Sequence, residues 1–162
     1  QLLWSAQGIT SANGLRTAPS AGALYPLSIY AVVGRIDSLA PGIYKYQPSG
    51  HQLHAIRTGD LRRDISAAAL GQDWLRQAPV LIIVAAEFQR TTRKYGERGQ
   101  RYVQIEAGHV AQNIYLQATA LNLGATVVGA FRDERLKAVL DMPDREDPIC
   151  IVPVGRPSGG HR

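Results

Sequence analysis

After Pro79 the chain runs Val80-Leu-Ile-Ile-Val-Ala-Ala86 without a single polar side chain. An apolar run this short reads as a strand, and a strand with no polar face must be covered on both sides. It therefore calls for a layered fold, with a sheet held between helices. The flanking segments can supply those layers. Leu27 to Val33 (LSIYAVV) is rich in β-branched residues and reads as a second strand. GIYKY at 42–46 and HQLHAI at 51–56, joined by a Pro-Ser-Gly turn, read as a hairpin. His51 and His54 would then point to opposite faces of one strand. Asp60 is placed to cap a helix running through Leu61, Ile65 and Ala68 to Leu70.

The strongest helical signal runs from Tyr102 to Leu123, with Gly124 expected as its C-terminal cap. Ala107, Val110, Ile114, Ala118 and Leu121 form one apolar face, and Tyr102, Glu106, His109 and Asn113 a polar stripe beside it. Such a helix is expected to cross the middle of the domain or to sit at a subunit contact. Ala125 to Val128 reads as a short strand, Asp133 as the cap of a helix to about Leu140, and Pro148 to Val154 as a last strand. The order implies an α+β sandwich.

Length and composition narrow the function. The 162 residues fit one domain, and 45% apolar with 19% charged residues argue against disorder. A net charge of +5 raises nucleic acid as a partner. The basic residues, however, are scattered. The densest group, from Arg90 to Arg101, is diluted by Glu97 and glycines and reads as a solvated loop. Nucleic acid is therefore not expected. Cys150 is the one cysteine, which excludes a disulfide framework and a cysteine-rich zinc site. The longest apolar stretch is far too short to span a bilayer, and no charged-then-apolar leader opens the sequence. A soluble cytoplasmic domain that avoids membranes is the expectation.

Several catalytic signatures are missing, among them G-x-G-x-x-G after a strand, the Walker loop, H-E-x-x-H and G-x-S-x-G. Glu106-Ala-Gly-His109 matches the Glu-x-x-His step of helical di-iron sites. Those sites need a second copy and further carboxylates, so the pair reads as buried and structural, and no metal is expected. Ser20 has no His and Asp in a recognisable context to make it a nucleophile. Arg16 to Leu27 strings small residues between two prolines just before a strand. This is either a tight turn or a place where a ligand reaches the backbone closely. Gly129-Ala130-Phe131 has the same character, with N–H groups that could face a planar ligand or an anion.

APSAGALYPLSIY (18–30), KYGERGQRYVQIEAGHVAQNIYLQATALNLG (94–124), VVGAFRDE (127–134) and IVPVGRP (151–157) occur in unbroken order. Together they resemble the nitroreductase-like flavoenzymes, most closely the SagB-type branch that includes azoline dehydrogenases of peptide biosynthesis. The resemblance implies an α+β nitroreductase-like fold, with a mixed, mainly antiparallel sheet packed with helices around a long central helix. It also implies a homodimer with FMN at the interface and NADH or NADPH as a possible electron donor. By position, Pro19, Ser20, Ala21, Gly22 and Ala23 would line the flavin from the partner subunit. Val128, Gly129 and Ala130 would form a wall and offer backbone N–H groups near N5. Arg156, and less directly Arg16, would hold the phosphate. Lys94 and Tyr95 match a pair that removes a substrate proton in azoline-oxidising relatives; the bland alternative makes them exposed residues of a polar loop.

Nitroreductase-like enzymes usually begin with an Arg-rich R-x-S-x-R segment that grips the FMN phosphate. The single domain at 1–162 opens at Gln1-Leu-Leu-Trp4, downstream of such a segment, so weaker FMN retention is expected. Two other functions remain open: an NAD(P)H-dependent nitro- or quinone reductase, and a non-catalytic flavin- or peptide-binding module.

Overall fold

A computed structural model describes residues 1–157. Its sheet has six strands: β1 (Leu27–Val33), β2 (Gly42–Gln47), β3 (Gln52–Thr58), β4 (Val80–Ala86), β5 (Gly124–Ala125) and β6 (Asp147–Gly155). They lie in the order β3-β2-β1-β4-β6-β5, and every described pairing is antiparallel. The apolar strand β4 is interior, with Ile83 opposite Tyr30 on one side and Ile151 on the other. Its residues alternate between two cores. Ile82 and Val84 join Ile29 and Val152 on one face, while Leu81, Ile83 and Ala85 join Tyr30, Val32 and Ile151 on the other. A polar residue at any of these positions would be buried without a partner, hence the apolar run.

Helices close both faces. On the first, α1 (Leu2–Gln7) and α4 (Arg98–Ala120) set Ala6, Val103, Ala107, Val110, Ile114 and Ala118 against the sheet. On the second, α2 (Arg62–Ala68) and α5 (Asp133–Leu140) bring Ile65, Leu136 and Leu140. The remaining helix, α3 (Gln89–Tyr95), connects β4 to α4.

The stretch from Arg90 to Arg101 is helical, not a solvated loop. Gly96, at φ +60°, ends α3 and donates its N–H to Thr92 O at 2.8 Å. Gly99 lets α4 start against α3, because a Cβ there would lie 2.9 Å from the Thr92 Cα. The glycines taken for loop residues thus permit a helix–helix corner. At the other end of α4, Gly124 is not the cap. Asn122 turns the chain at φ +57°, and the Leu123 N–H returns to Ala118 O at 2.8 Å. Leu121, expected on the buried face, is exposed.

Smaller differences follow from local bonding. The strand expected over 125–128 stops at Ala125, and Val128 rejoins the sheet through an isolated bridge to Ile151. His51 belongs to the turn rather than the strand, and its Nδ1 pairs with Tyr46 OH at 2.8 Å. Asp60 accepts the Arg62 N–H at 3.2 Å and also holds that side chain's guanidinium, so it starts α2. Asp133 is the first residue of α5 rather than its cap. Glu106 is buried and His109 exposed, so these two do not form the expected buried pair.

One buried carboxylate ties distant segments together. Glu146, 3% exposed, accepts from Tyr30 OH at 2.5 Å, Lys45 Nζ at 2.6 Å and Ser28 Oγ at 3.0 Å. Burial alone would push its pKa up, but bonds from Lys45, Tyr30 and Ser28 outweigh that and hold it below the ordinary glutamate value.

Candidate active site

The segment after Pro19 is strained. Gly22, Ala23 and Tyr25 all have positive φ, at +63°, +52° and +46°. Each non-glycine residue in this region costs on the order of 1–2 kcal/mol, and such strain persists only where neighbours over-determine it. Here they do. Ser20 Oγ accepts the Tyr25 N–H at 2.9 Å, and the Arg90 guanidinium donates to Tyr25 O at 3.1 Å. Arg16 stacks 4.5 Å from the Tyr25 ring centroid, while Asn113 of α4 donates to Thr17 O at 3.2 Å.

This segment faces the end of α3. A Cβ at Gly22 would lie 2.7 Å from Tyr95 Oη and 3.0 Å from Lys94 Nζ, so both groups converge on the bare glycine. Tyr95 is fixed by an edge-on contact with Tyr102, 5.2 Å between centroids. Lys94 is exposed. Behind the segment lies Glu106, 2% exposed, whose Oε1 has no hydrogen-bond partner among the described residues. Burial raises its pKa, and Ser20, Gln7 and Arg16 partly oppose that rise.

The second candidate wall is elsewhere. Val128 exchanges two backbone hydrogen bonds with Ile151, at 2.8 and 2.9 Å, which presents Gly129 and Ala130 to solvent. Gly129 borders a cavity of about 380 Å³ with Ala107, Gly108, Ala111, Tyr115 and Cys150. Burial pushes the Cys150 thiol up to about 11, so it is not a nucleophile at neutral pH. At 100° per residue, Glu106 and Asn113 lie on a different face of α4 from Gly108, Ala111 and Tyr115. Within one chain the Pro19–Ala23 segment and the Val128–Ala130 wall therefore flank the long helix on different sides.

Residues 1–156 match the Nitroreductase family. The chain belongs to that family. It is 45% identical to a provisionally named nitroreductase of Methanocaldococcus jannaschii, over 96% of this chain and 77% of that one. It is 30% identical to the trifolitoxin operon protein TfxC of Rhizobium leguminosarum, over 80% of this chain but only 38% of TfxC. Among solved structures, a nitroreductase-like protein of Anabaena variabilis superposes with a TM-score of 0.87 at 32% identity, over 94% of this chain and 33% of that one. The nitroreductase fold and an oxidoreductase activity follow from this membership, and the likeness to TfxC supports the SagB-type branch.

Nitroreductases generally use FMN. Gly108 and Gly129 leave the cavity beside α4 free of side chains, since Cβ atoms added there would meet nothing within 4 Å, whereas the face of Gly22 is covered by Tyr95 and Lys94. The two phosphate candidates do not meet within one chain. Arg16 borders a cavity with Leu27 and Ser28, and Arg156 one with Pro79, Gly124 and Gly155. These lie at opposite ends of the central strands, since Leu27 pairs with Ala86 and Val33 with Val80.

Sequence reasoning did not single out Tyr25, Arg90 or Tyr102. Tyr102 stood in the polar stripe of the long helix, but its contact with Tyr95 depends on the corner at Gly96. Arg90 appeared only as part of a basic cluster, with nothing local to mark its bond to Tyr25.

Proposed function

We propose that the chain is an FMN-dependent oxidoreductase of the SagB type, acting on a small molecule or a peptide azoline. The carrying observation is the convergence of Lys94 Nζ and Tyr95 Oη on Gly22, beside a strained, small-residue segment. FMN, when bound, supplies the two-electron redox chemistry. As the neutral amine, Lys94 takes the proton from the substrate, and Tyr95, fixed by Tyr102, orients the amine and the substrate at that point. Pro19, Ser20, Ala21, Gly22 and Ala23, small enough for close approach, line the flavin bound by the partner subunit. Gly129 and Ala130 offer backbone N–H groups to the ring, while Val128, whose own N–H is bonded to Ile151 O, contributes only to the wall. Arg156 holds the phosphate through a bidentate guanidinium.

The same geometry supports a homodimer. The Pro19–Ala23 segment and the Gly129 wall flank different sides of α4, so a cleft using both draws one from each subunit. Ile105 and Leu116, 50% and 60% exposed on that helix, supply apolar surface for the contact. In azoline oxidation the substrate gives a hydride to the flavin, and dioxygen or another acceptor takes the electron pair from it. In the reductase direction NADH or NADPH reduces the flavin, and the cytoplasm is the setting in either case. The likeness to TfxC supports a peptide substrate. The higher identity to an archaeal nitroreductase favours a second reading, an NAD(P)H-dependent nitro- or quinone reductase.

The test is the visible spectrum of the purified protein before and after adding FMN and then NADPH. Bound-flavin bands that bleach with the donor are expected. A protein that stays colourless with added FMN removes the reading.

A further inference from the structure

A polar cavity of about 400 Å³ opens beside the strained segment, at the Leu27 end of β1. Arg16, Lys45, Arg90 and Arg145 line it together with Glu87 and Glu146, which leaves an excess of two positive charges. Both carboxylates are already engaged. Glu146 pairs with Lys45 at 2.6 Å, and Glu87 with Arg145 at 3.5 Å. Arg16 and Arg90 form no ion pair among the described residues. Arg16 Nη1 donates to Gln7 Oε1 at 2.7 Å and Arg90 Nη1 to the Tyr25 carbonyl at 3.1 Å, so most of their N–H donors remain free.

The two guanidinium groups also feel each other. Burial and the charge of Arg90 both lower the Arg16 pKa, while Tyr25 and Glu106 act the other way. Burial raises the Glu106 pKa, against the opposing pull of Ser20, Gln7 and Arg16. Gln7, fully buried on the cavity wall, accepts from Arg16 through Oε1 and so holds that guanidinium in place, while its amide also faces Glu106. Like charges held together in a polar cavity with N–H donors to spare match an anion with two or more oxygens.

We propose that this cavity is an oxyanion subsite, taking the carboxylate or phosphate of a small molecule bound at Gly22, Lys94 and Tyr95. Arg90 lies four residues before Lys94 on α3, about 6 Å along the helix. Together with Arg16 it therefore sits within reach of a ligand held at Lys94. The subsite lies at the opposite end of the sheet from Arg156. It rests on the functional reading only for which molecule carries the anion.

The probe is inorganic phosphate, titrated against the full chain at constant ionic strength and followed by thermal shift. A saturable rise in Tm is expected. Arg16→Gln and Arg90→Gln should each weaken the apparent phosphate affinity at least tenfold, and Arg63→Gln on α2 should leave it unchanged. Arg90 is exposed, so its variant folds even if the Arg16 variant does not. Two further measurements locate the source of the anion. If Arg90→Gln abolishes the preference for FMN over riboflavin, the group is the flavin phosphate. If it raises KM for 4-nitrobenzoate but not for nitrobenzene, at unchanged kcat, the group is a substrate acid. No phosphate response in the wild type, or an undiminished one in Arg90→Gln, overturns the subsite. A yellow, donor-bleached protein without a phosphate response would keep the functional reading and lose the subsite. A colourless protein that still responds to phosphate through Arg90 would do the reverse.

Discussion

The Glu146 hub and the surface around Gly22, Lys94 and Arg90 lie at the same end of the sheet, yet their polar groups are treated in opposite ways. At the hub every strong group has a partner: Lys45, Tyr30 and Ser28 all donate to one buried carboxylate. At the surface, Lys94, Arg16 and Arg90 have no carboxylate partner among the described residues, and the backbone beside them is held in left-handed conformations. Satisfied buried charge fixes geometry. Unsatisfied charge beside strained backbone is what a ligand would complete. The two regions should therefore respond to substitution on different axes, one in stability and the other in turnover.

Lys94→Ala gives the largest expected effect and falls on the turnover axis alone. Loss of a general base typically costs about 10²- to 10⁴-fold in rate. Lys94 is exposed, so stability should change by no more than about 0.5 kcal/mol. Following substrate oxidation separately from flavin re-oxidation isolates the proton step. Undiminished substrate turnover would remove Lys94 from that role.

Glu146→Gln should do the opposite, lowering stability with the chemistry of Lys94 intact. Removing one partner of a buried pair costs about 3–5 kcal/mol, less here because Lys45 is 32% exposed to screening water. A loss of about 1–3 kcal/mol would lower Tm by roughly 3–10 °C for a chain of this size. The pH dependence carries a definite sign. The folded-state pKa of Glu146 lies below its ordinary value. As pH falls the unfolded chain therefore takes up the proton first, and the contribution of Glu146 is present above the ordinary pKa and lost through the folded one. The Tm gap between wild type and Glu146→Gln should narrow as pH falls below the ordinary glutamate range and close only below the depressed folded-state pKa. A gap that persists into acid would mean that the hub is held by packing rather than by charge.

Much of the frame was legible from periodicity. The unbroken apolar run from Val80 to Ala86 demanded two covered faces, and the spacing of Ala107, Val110, Ile114 and Ala118 gave the helix that covers one of them. The hub was not legible, because Tyr30 and Glu146 are 116 residues apart and no local pattern links them. The corner between α3 and α4 was misread for a related reason. Gly96 and Gly99 carry the composition of a loop, and only the close approach to Thr92 shows that they join two helices. The motif therefore pointed to Lys94 and Tyr95, but their convergence on Gly22 depends on that corner. Arg156 and Arg16 were paired by role in the sequence, and the strand register separates them.

The smallest expected effect decides whether that convergence is used. Gly22→Ala places a residue at φ +63° and drives its Cβ to 2.7 Å from Tyr95 Oη and 3.0 Å from Lys94 Nζ. The left-handed backbone costs alanine on the order of 1–2 kcal/mol. The two side-chain ends can move aside, so the fold survives while the pair is displaced from the glycine. Gly14→Ala is the matched control, since it has φ +78° and nothing within 4 Å of an added Cβ. Both variants should lose a few degrees of Tm, about 2–4 °C per kcal/mol. Only Gly22→Ala should also lose turnover and the near-ultraviolet signal of the Tyr95–Tyr102 contact. If both variants turn over equally, Lys94 and Tyr95 meet at Gly22 through packing alone, and the contrast between the hub and the surface reduces to burial.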